Sequence, residues 1–206
     1  RRVIDILLED KTYILSEDTG HWLPNDEYFQ QLLTDKHLKN FLEIGSFSGS
    51  GSTKFLGRLA KERGGHLFCI DAFQIPDDEF HRGVLAQSGY KFKIPQLYNQ
   101  FLSNIYHYGL SEYVSIYKGL SSDFFSSASE IARLPIIDMC YVDGDHSYPQ
   151  AKKDIIYCVS TFPTAIICGD DWSCEAWYKS IQRSVTEAAQ ELGKQVKSSG
   201  NFWWLV

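Results

Sequence analysis

The chain has 206 residues, a mass of 23.6 kDa, a net charge of −6 and a pI near 5.5. At ~150 residues per domain that length argues for a single domain over residues 1–206. A hydrophobic share of 44% against 22% charged excludes disorder and collagen-like repeats. The acidic balance argues against nucleic acid as the main partner, and apolar runs no longer than a strand argue against a membrane. The five cysteines, Cys69, Cys140, Cys158, Cys168 and Cys174, are scattered without a CxxC, and three lie in apolar strand-like runs. With no visible signal peptide, they point to a reduced, cytoplasmic chain that uses Cys as a small hydrophobe. The opening Arg fits a segment trimmed from a longer protein.

Residues 1–40 read as a leading helical segment, with Pro24-Asn25 opening a helix over 26–33. Five short apolar runs follow: 41–45, 67–71, 114–117, 138–143 and 165–169. Four are nearly continuous in apolar residues, as in strands buried on both faces of a parallel sheet; the run at Val114 alternates and belongs nearer an edge. Helices are predicted over 53–63, ended by Gly64-Gly65, over 147–162, with Pro149 in its first turn, and over 175–192, ended by Gly193. Alternating strand and helix predicts an α/β, doubly wound sheet. The tail departs from that rhythm: a Ser-Ser-Gly-Asn turn separates 195–197 from 202–206 and predicts a terminal hairpin. Residues 73–100 form a long insertion after the second run, a candidate lid carrying Tyr90, Lys91, Phe92 and Lys93.

The first run leads into Glu43-Ile-Gly45-Ser-Phe-Ser-Gly49-Ser-Gly51-Ser-Thr53 and then a helix. Glycines there let the backbone approach a ligand, and a helix N-terminus offers free N–H groups. The spacing G-x-x-x-G-x-G is not the G-x-G-x-x-G of dinucleotide binders, and no Gly-Lys-Ser/Thr follows, so it is no P-loop. Glu43 at the strand end suits a ligand bearing an ammonium group. Asp71, ending the second run, is placed to accept hydrogen bonds from both hydroxyls of a ribose.

With Glu43-Ile-Gly45-x-x-x-Gly49, Asp71 and the terminal hairpin, residues 38–206 resemble the class I S-adenosylmethionine-dependent methyltransferases. The resemblance implies a Rossmann-like sheet of seven strands in the order 3-2-1-4-5-7-6, the last antiparallel. It also implies cofactor contacts from Glu43, Gly45, Ser46, Phe47, Gly49, Gly51 and Ser52, from Asp71 and Ala72, from Gly119, Ser121 and Ser122, and from Asp143. Gly51 stands where the catechol type has a Ser on the methionine carboxylate, and Ser52 or Thr53 is available to replace it.

In such a sheet the fourth and fifth runs are parallel neighbours about 5 Å apart. Their ends, Asp143-Gly144-Asp145-His146 and Asp170-Asp171, then crowd carboxylates together, which calls for protons or a cation. Oxygen ligands in that number suit Mg²⁺, Mn²⁺ or Ca²⁺. The pattern is similar to the divalent-metal-dependent O-methyltransferases of the catechol and macrocin/mycinamicin sugar types. That resemblance implies Asp143, Asp170 and Asp171 as ligands of a divalent cation such as Mg²⁺, and His146, three residues after Asp143, as the catalytic base.

The expected reaction is methyl transfer to a hydroxyl of a small-molecule sugar or vicinal diol, with His146 taking the proton. Trp172, Trp177, Trp22 and His21 are candidates for an acceptor wall. Two other readings remain open from the sequence: a metal-independent methyltransferase or carbohydrate-modifying relative, and a non-catalytic S-adenosylmethionine-binding module. The Trp203-Trp204 strand is either core or the interface of a homo-oligomer.

Overall fold

The computed structural model describes residues 1–9, 26–35, 37–75 and 96–206. Most of the expected insertion, its lid residues included, and the segment with His21, Trp22, Pro24 and Asn25 lie outside the described residues. Two helices lead, α1 (Val3–Glu9) and α2 (Asp26–Leu32). Then follow β1 (Asn40–Ile44), α3 (Ser52–Arg63), β2 (His66–Asp71), α4 (Leu97–His107) and β3 (Val114–Lys118). Two short helices, α5 (Ser121–Ser126) and α6 (Ala128–Ile131), precede β4 (Met139–Val142). The chain closes with α7 (Tyr148–Thr161), β5 (Ile166–Gly169), α8 (Tyr178–Glu191), β6 (Val196–Ser199) and β7 (Phe202–Leu205).

The seven strands lie in the order β3-β2-β1-β4-β5-β7-β6. The first five are parallel, and β7 runs antiparallel to both neighbours. This is the Rossmann-like order expected above. Successive strand residues point to opposite faces, and two cores result. One face carries Phe41, Leu67, Cys69, Met139, Tyr141 and Phe202 against α1, α3 and α4. The other carries Leu42, Ile44, Ile70, Cys140, Val142 and Trp203 against α7 and α8. β3 is the edge strand, as its alternation predicted, and a short antiparallel bridge from Arg2 to Ser115 covers it.

Three elements differ from expectation. Helix α4 occupies the end of what reads as an insertion; its Leu97, Phe101 and Ile105 recur at i, i+4, i+8 and are buried. α8 begins at Tyr178, because residues 170–177 are tied down as a loop. The closing turn is only Gly200-Asn201, with Ser198 and Ser199 inside β6, since Gly200 takes φ +57° and allows a tight reversal. Among the described residues no helix is long and apolar enough to cross a membrane.

Gly169 sets the spacing of the sheet's active end. A Cβ there would stand 2.3 Å from the Val142 carbonyl oxygen and 2.5 Å from the Trp203 ring. Gly169→Ala is therefore expected to shift the urea midpoint at unchanged slope, a loss of about 3 kcal/mol, at the upper end for overpacking. A midpoint within 0.5 kcal/mol of wild type, roughly the level of an ordinary surface substitution, would contradict this packing.

Candidate active site

The glycine loop is built on two acids, Glu43 buried and Asp71 half-buried. Register places Ile44 beside Ile70 and Val142, so β1, β2 and β4 end together. Gly45 takes φ +86°, and a Cβ on it would lie 2.0 Å from the Asp143 carbonyl oxygen; only glycine lets the chain leave β1 so close to β4. Glu43 is fully buried beneath the loop. Its Oε1 accepts from Ser52 Oγ at 2.6 Å, and its Oε2 from Ser46 Oγ at 2.8 Å and Thr53 Oγ1 at 2.6 Å. Burial raises the Glu43 pKa against those hydrogen bonds. Glu43 thus joins the strand end to the start of α3 instead of presenting oxygens outward.

Asp71 Oδ2 accepts from the Ser46 and Phe47 N–H groups, both at 2.8 Å, and Oδ1 from the Phe73 N–H at 2.5 Å. Burial raises its pKa, and the backbone donors oppose the rise. Each carboxylate oxygen has two lone pairs, so Oδ1 keeps room for a further donor. Ala72 follows, half-buried, and Gly119 donates its N–H to the Asp71 carbonyl at 2.9 Å, which joins the ends of β2 and β3. Ser121 is buried and its Oγ donates to Asp154 at 2.6 Å, whereas Ser122 is half-buried. Gly49, Gly51 and Ser52 lie in the loop and first turn of α3, as expected.

Val142 pairs with Gly169, so Asp143 and Asp170 follow at the same level. What converges there differs from the expected three carboxylates. Ligand-capable atoms of Asp143, His146 and Asp171 lie within 4.8 Å of one another. His146 Nε2 is 2.5 Å from Asp171 Oδ2 and 3.6 Å from Asp143 Oδ1. Asp170, 8% exposed, turns its Oδ1 to the Asp171 N–H and Asn201 Nδ2, both at 2.8 Å. Asp171 sits at φ +65°, a strained position for any residue with a Cβ, and this conformation belongs to the turn that aims its carboxylate at His146.

Electrostatics follow from the crowding. Burial works against a charged imidazole, yet Asp143 and Asp171 outweigh it and lift His146 to about 10. Burial also raises Asp143, with Asp170 and Asp171 adding to the rise. Asp171 is held below the usual carboxylate range because its bonds to His146, Cys174 and Asn201 overcome burial. His146 is further fixed by the Trp177 ring, stacked at 4.9 Å and 15°, and by Ser180, whose Oγ donates to the His146 carbonyl at 2.7 Å.

Asn201 has no signal in the sequence, since it lies about 30 residues from the acids it holds and only the β5–β7 pairing brings its turn there. It also accepts from the Ser173 N–H at 3.0 Å through Oδ1 and from the Trp172 N–H at 2.9 Å through its carbonyl.

A model described as a methyltransferase domain matches residues 42–172, more than half of the chain. The chain belongs to this methyltransferase family. Its enzyme class is S-adenosylmethionine-dependent methyl transfer, and S-adenosylmethionine is its cofactor. No curated protein matches the sequence significantly. Among solved structures, the calicheamicin methyltransferase CalS11 superposes with a TM-score of 0.57 at 14% identity, over 88% of this chain and 78% of that one. The O-methyltransferase NovP gives 0.55 at 16%, over 87% and 78%. The Podospora anserina methyltransferase PaMTH1, solved with S-adenosylhomocysteine, gives 0.50 at 13%, over 86% and 75%. At these identities the likeness concerns the fold.

The cluster makes stability depend on pH. His146 is raised above its ordinary 6.5, so its contribution is complete below that value and lost as pH rises through about 10. Asp171 is lowered, so its contribution disappears only in acid, below the ordinary 3.8. In chelator, the wild type is expected to lose roughly 1–3 kcal/mol between pH 7 and 10, and His146→Gln to lose most of that slope. Thermal melts of both proteins across that range provide the check; parallel slopes would contradict the ion pair.

Proposed function

We propose that this methyltransferase acts on a hydroxyl group of a small molecule, a sugar or vicinal diol, with a divalent cation held at the ends of β4 and β5. The convergence of Asp143, His146 and Asp171 within 4.8 Å, beside a preorganised glycine loop, carries the reading. The names of two structural neighbours agree with it: NovP is an O-methyltransferase, and CalS11 is a nucleotide-sugar 3′-O-methyltransferase.

The donor set fits a divalent ion: two carboxylates and one imidazole offer atoms close enough to share one centre. Asp143 and Asp171 would hold it, with Asp170 available on release from Asn201. Such an ion, Mg²⁺ being the first choice, makes an acceptor hydroxyl easier to deprotonate. S-adenosylmethionine supplies a methyl group on a sulfonium, from which a neutral thioether is the leaving group. The chain's own work is to orient and to move a proton. Asp71, whose Oδ1 keeps room for a further donor, would take the ribose, while its bonds to the Ser46 and Phe47 N–H groups and the close approach of Gly45 to Asp143 hold the loop in place beside it. His146 Nε2 receives the acceptor's proton once its neighbours are neutralised by something other than its own charge. Trp177 keeps the imidazole plane fixed while that happens. A small-molecule acceptor also fits a site formed by loops at one end of a sheet.

A metal-independent methyltransferase is the second reading. The His146–Asp171 ion pair favours it, because it already neutralises the carboxylates.

Calorimetric titration of Mg²⁺ and Mn²⁺ should show binding by the wild type that Asp143→Ala abolishes; unchanged divalent affinity in the variant would refute the ligand set. With sugar and catechol acceptors, methyl transfer should fall at least 100-fold in EDTA and return with Mg²⁺. Transfer undiminished by EDTA would select the second reading. His146→Ala is expected to keep cofactor affinity while kcat falls by about 10²–10⁴, and full turnover would reject the base.

A further inference from the structure

Asn201, in the turn of the β6–β7 hairpin, holds four consecutive residues beyond β5: Asp170, Asp171, Trp172 and Ser173. The β5–β7 ladder pairs Gly169 with Trp203, so continuing it by two residues sets Asp171 opposite Asn201. Asn201 Nδ2 donates to Asp170 Oδ1 at 2.8 Å and to Asp171 Oδ1 at 3.4 Å. Its carbonyl accepts from the Trp172 N–H at 2.9 Å, and its Oδ1 from the Ser173 N–H at 3.0 Å. A backbone N–H only donates, which fixes the amide with its oxygen toward Ser173 and its NH₂ toward the two acids.

The main chain of Asp170 is secured separately, because its carbonyl accepts from Trp203 Nε1 at 3.0 Å. The Asn201 amide therefore governs the Asp170 side chain more than the path of the chain. Oδ1 of that side chain takes a second donor, the Asp171 N–H at 2.8 Å, so two hydrogen bonds turn the carboxylate toward the hairpin. Asp170 accordingly stands outside the group of ligand atoms within 4.8 Å of one another, which Asp143, His146 and Asp171 supply.

The number of carboxylates at such a centre bears on which ion it takes. Mg²⁺ is small, keeps several waters and is bound through one or two carboxylates, whereas Ca²⁺ takes roughly six to eight oxygens in a looser shell. A third carboxylate therefore favours Ca²⁺ more than Mg²⁺.

We propose that Asn201 is a positioning residue that withholds Asp170 from the rim, leaving Asp143 and Asp171 as the carboxylates for a cation and so favouring Mg²⁺ over Ca²⁺. The inference rests on the cation reading above and adds to it a determinant of ion selectivity on the terminal hairpin.

The test is calorimetric titration of Mg²⁺ and of Ca²⁺ into the wild type, Asn201→Ala, Asp170→Asn and the double variant. The positive φ of the turn falls on Gly200 and not on Asn201, so Ala is unstrained there and keeps the carbonyl that accepts from Trp172. The wild type is expected to prefer Mg²⁺, and Asp170→Asn to change either affinity by about threefold at most. Asn201→Ala should strengthen Ca²⁺ binding by about tenfold, with Mg²⁺ changed far less. Adding Asp170→Asn to Asn201→Ala should abolish that gain, a reversal that mere loosening of the loop would not produce. An Asn201→Ala protein with unchanged ion preference, or a Ca²⁺ gain that survives the loss of the Asp170 carboxylate, would overturn the proposal and leave the cation reading standing. Asp170→Asn decides alone if Asn201→Ala does not fold: near-unchanged Mg²⁺ binding supports the withheld carboxylate, and a loss as large as that from Asp143→Ala overturns it. Wild type and variants that all bind neither ion would overturn the cation reading and this inference together.

Discussion

Carboxylates cannot share the ends of two adjacent strands without a counter-charge, and the upper rim of this protein is arranged around that constraint. Parallel pairing of β4 and β5 brings Asp143 and Asp170 to one level, with Asp171 next in the chain. Each is settled differently. Asp170 is absorbed by hydrogen bonds to Asn201 and to its own turn, Asp171 by the imidazolium of His146, and Asp143 keeps its proton more tightly than an ordinary carboxylic acid. Trp177 and Ser180 then lock His146 from behind, so loop 170–177, the turn of the β6–β7 hairpin and the start of α8 are all recruited to one electrostatic problem. The hairpin that ends the sheet thus helps to hold the rim in shape.

The other half of the site solves a related problem with two acids that hold its own loop, Glu43 buried and Asp71 half-buried. Glu43 collects three hydroxyl donors and Asp71 three backbone N–H groups, which holds the glycine loop in shape. Preorganisation of this kind lowers the ordering cost of binding. It also explains why the loop is rich in serine and threonine as well as glycine: the glycines permit the path, and the hydroxyls tie that path to Glu43.

Much of this architecture was legible because strand burial leaves a local signature. The continuous apolar runs marked β1, β2, β4 and β5, the alternation at Val114 marked an edge, and Gly45, Glu43 and Asp71 marked the ends of β1 and β2 and the loop between β1 and α3. Helix α4 was legible too, in the spacing of Leu97, Phe101 and Ile105, but the prolines and glycines before it drew that stretch into an insertion. The orientation of side chains at the rim was not legible. Spacing brought Asp143, Asp170 and Asp171 to one place, yet which two face His146 depends on the positive φ of Asp171 and on Asn201, contacts made across the sheet. Glu43 shows the same limit: its position at a strand end was evident, whereas its inward direction follows from hydroxyls up to ten residues later in the chain.

The cluster's composition has a further consequence. Asp171 is neutralised here by a proton-bearing imidazole, while Asp143 keeps its own proton, and a divalent cation would replace the imidazole. The two neutralisers are mutually exclusive at 2.5 Å from one carboxylate oxygen. A histidine lifted to about 10 by its neighbours is a poor proton acceptor, whereas one relieved of them returns toward its ordinary 6.5 and becomes a useful base near neutral pH. The same contact that stabilises the rim therefore holds the imidazole protonated, and on the proposed reading another positive charge at the carboxylates would free it to act as a base. On that reading, stability of the rim and readiness of His146 for proton transfer oppose each other, and Asp143 and Asp171 set the balance.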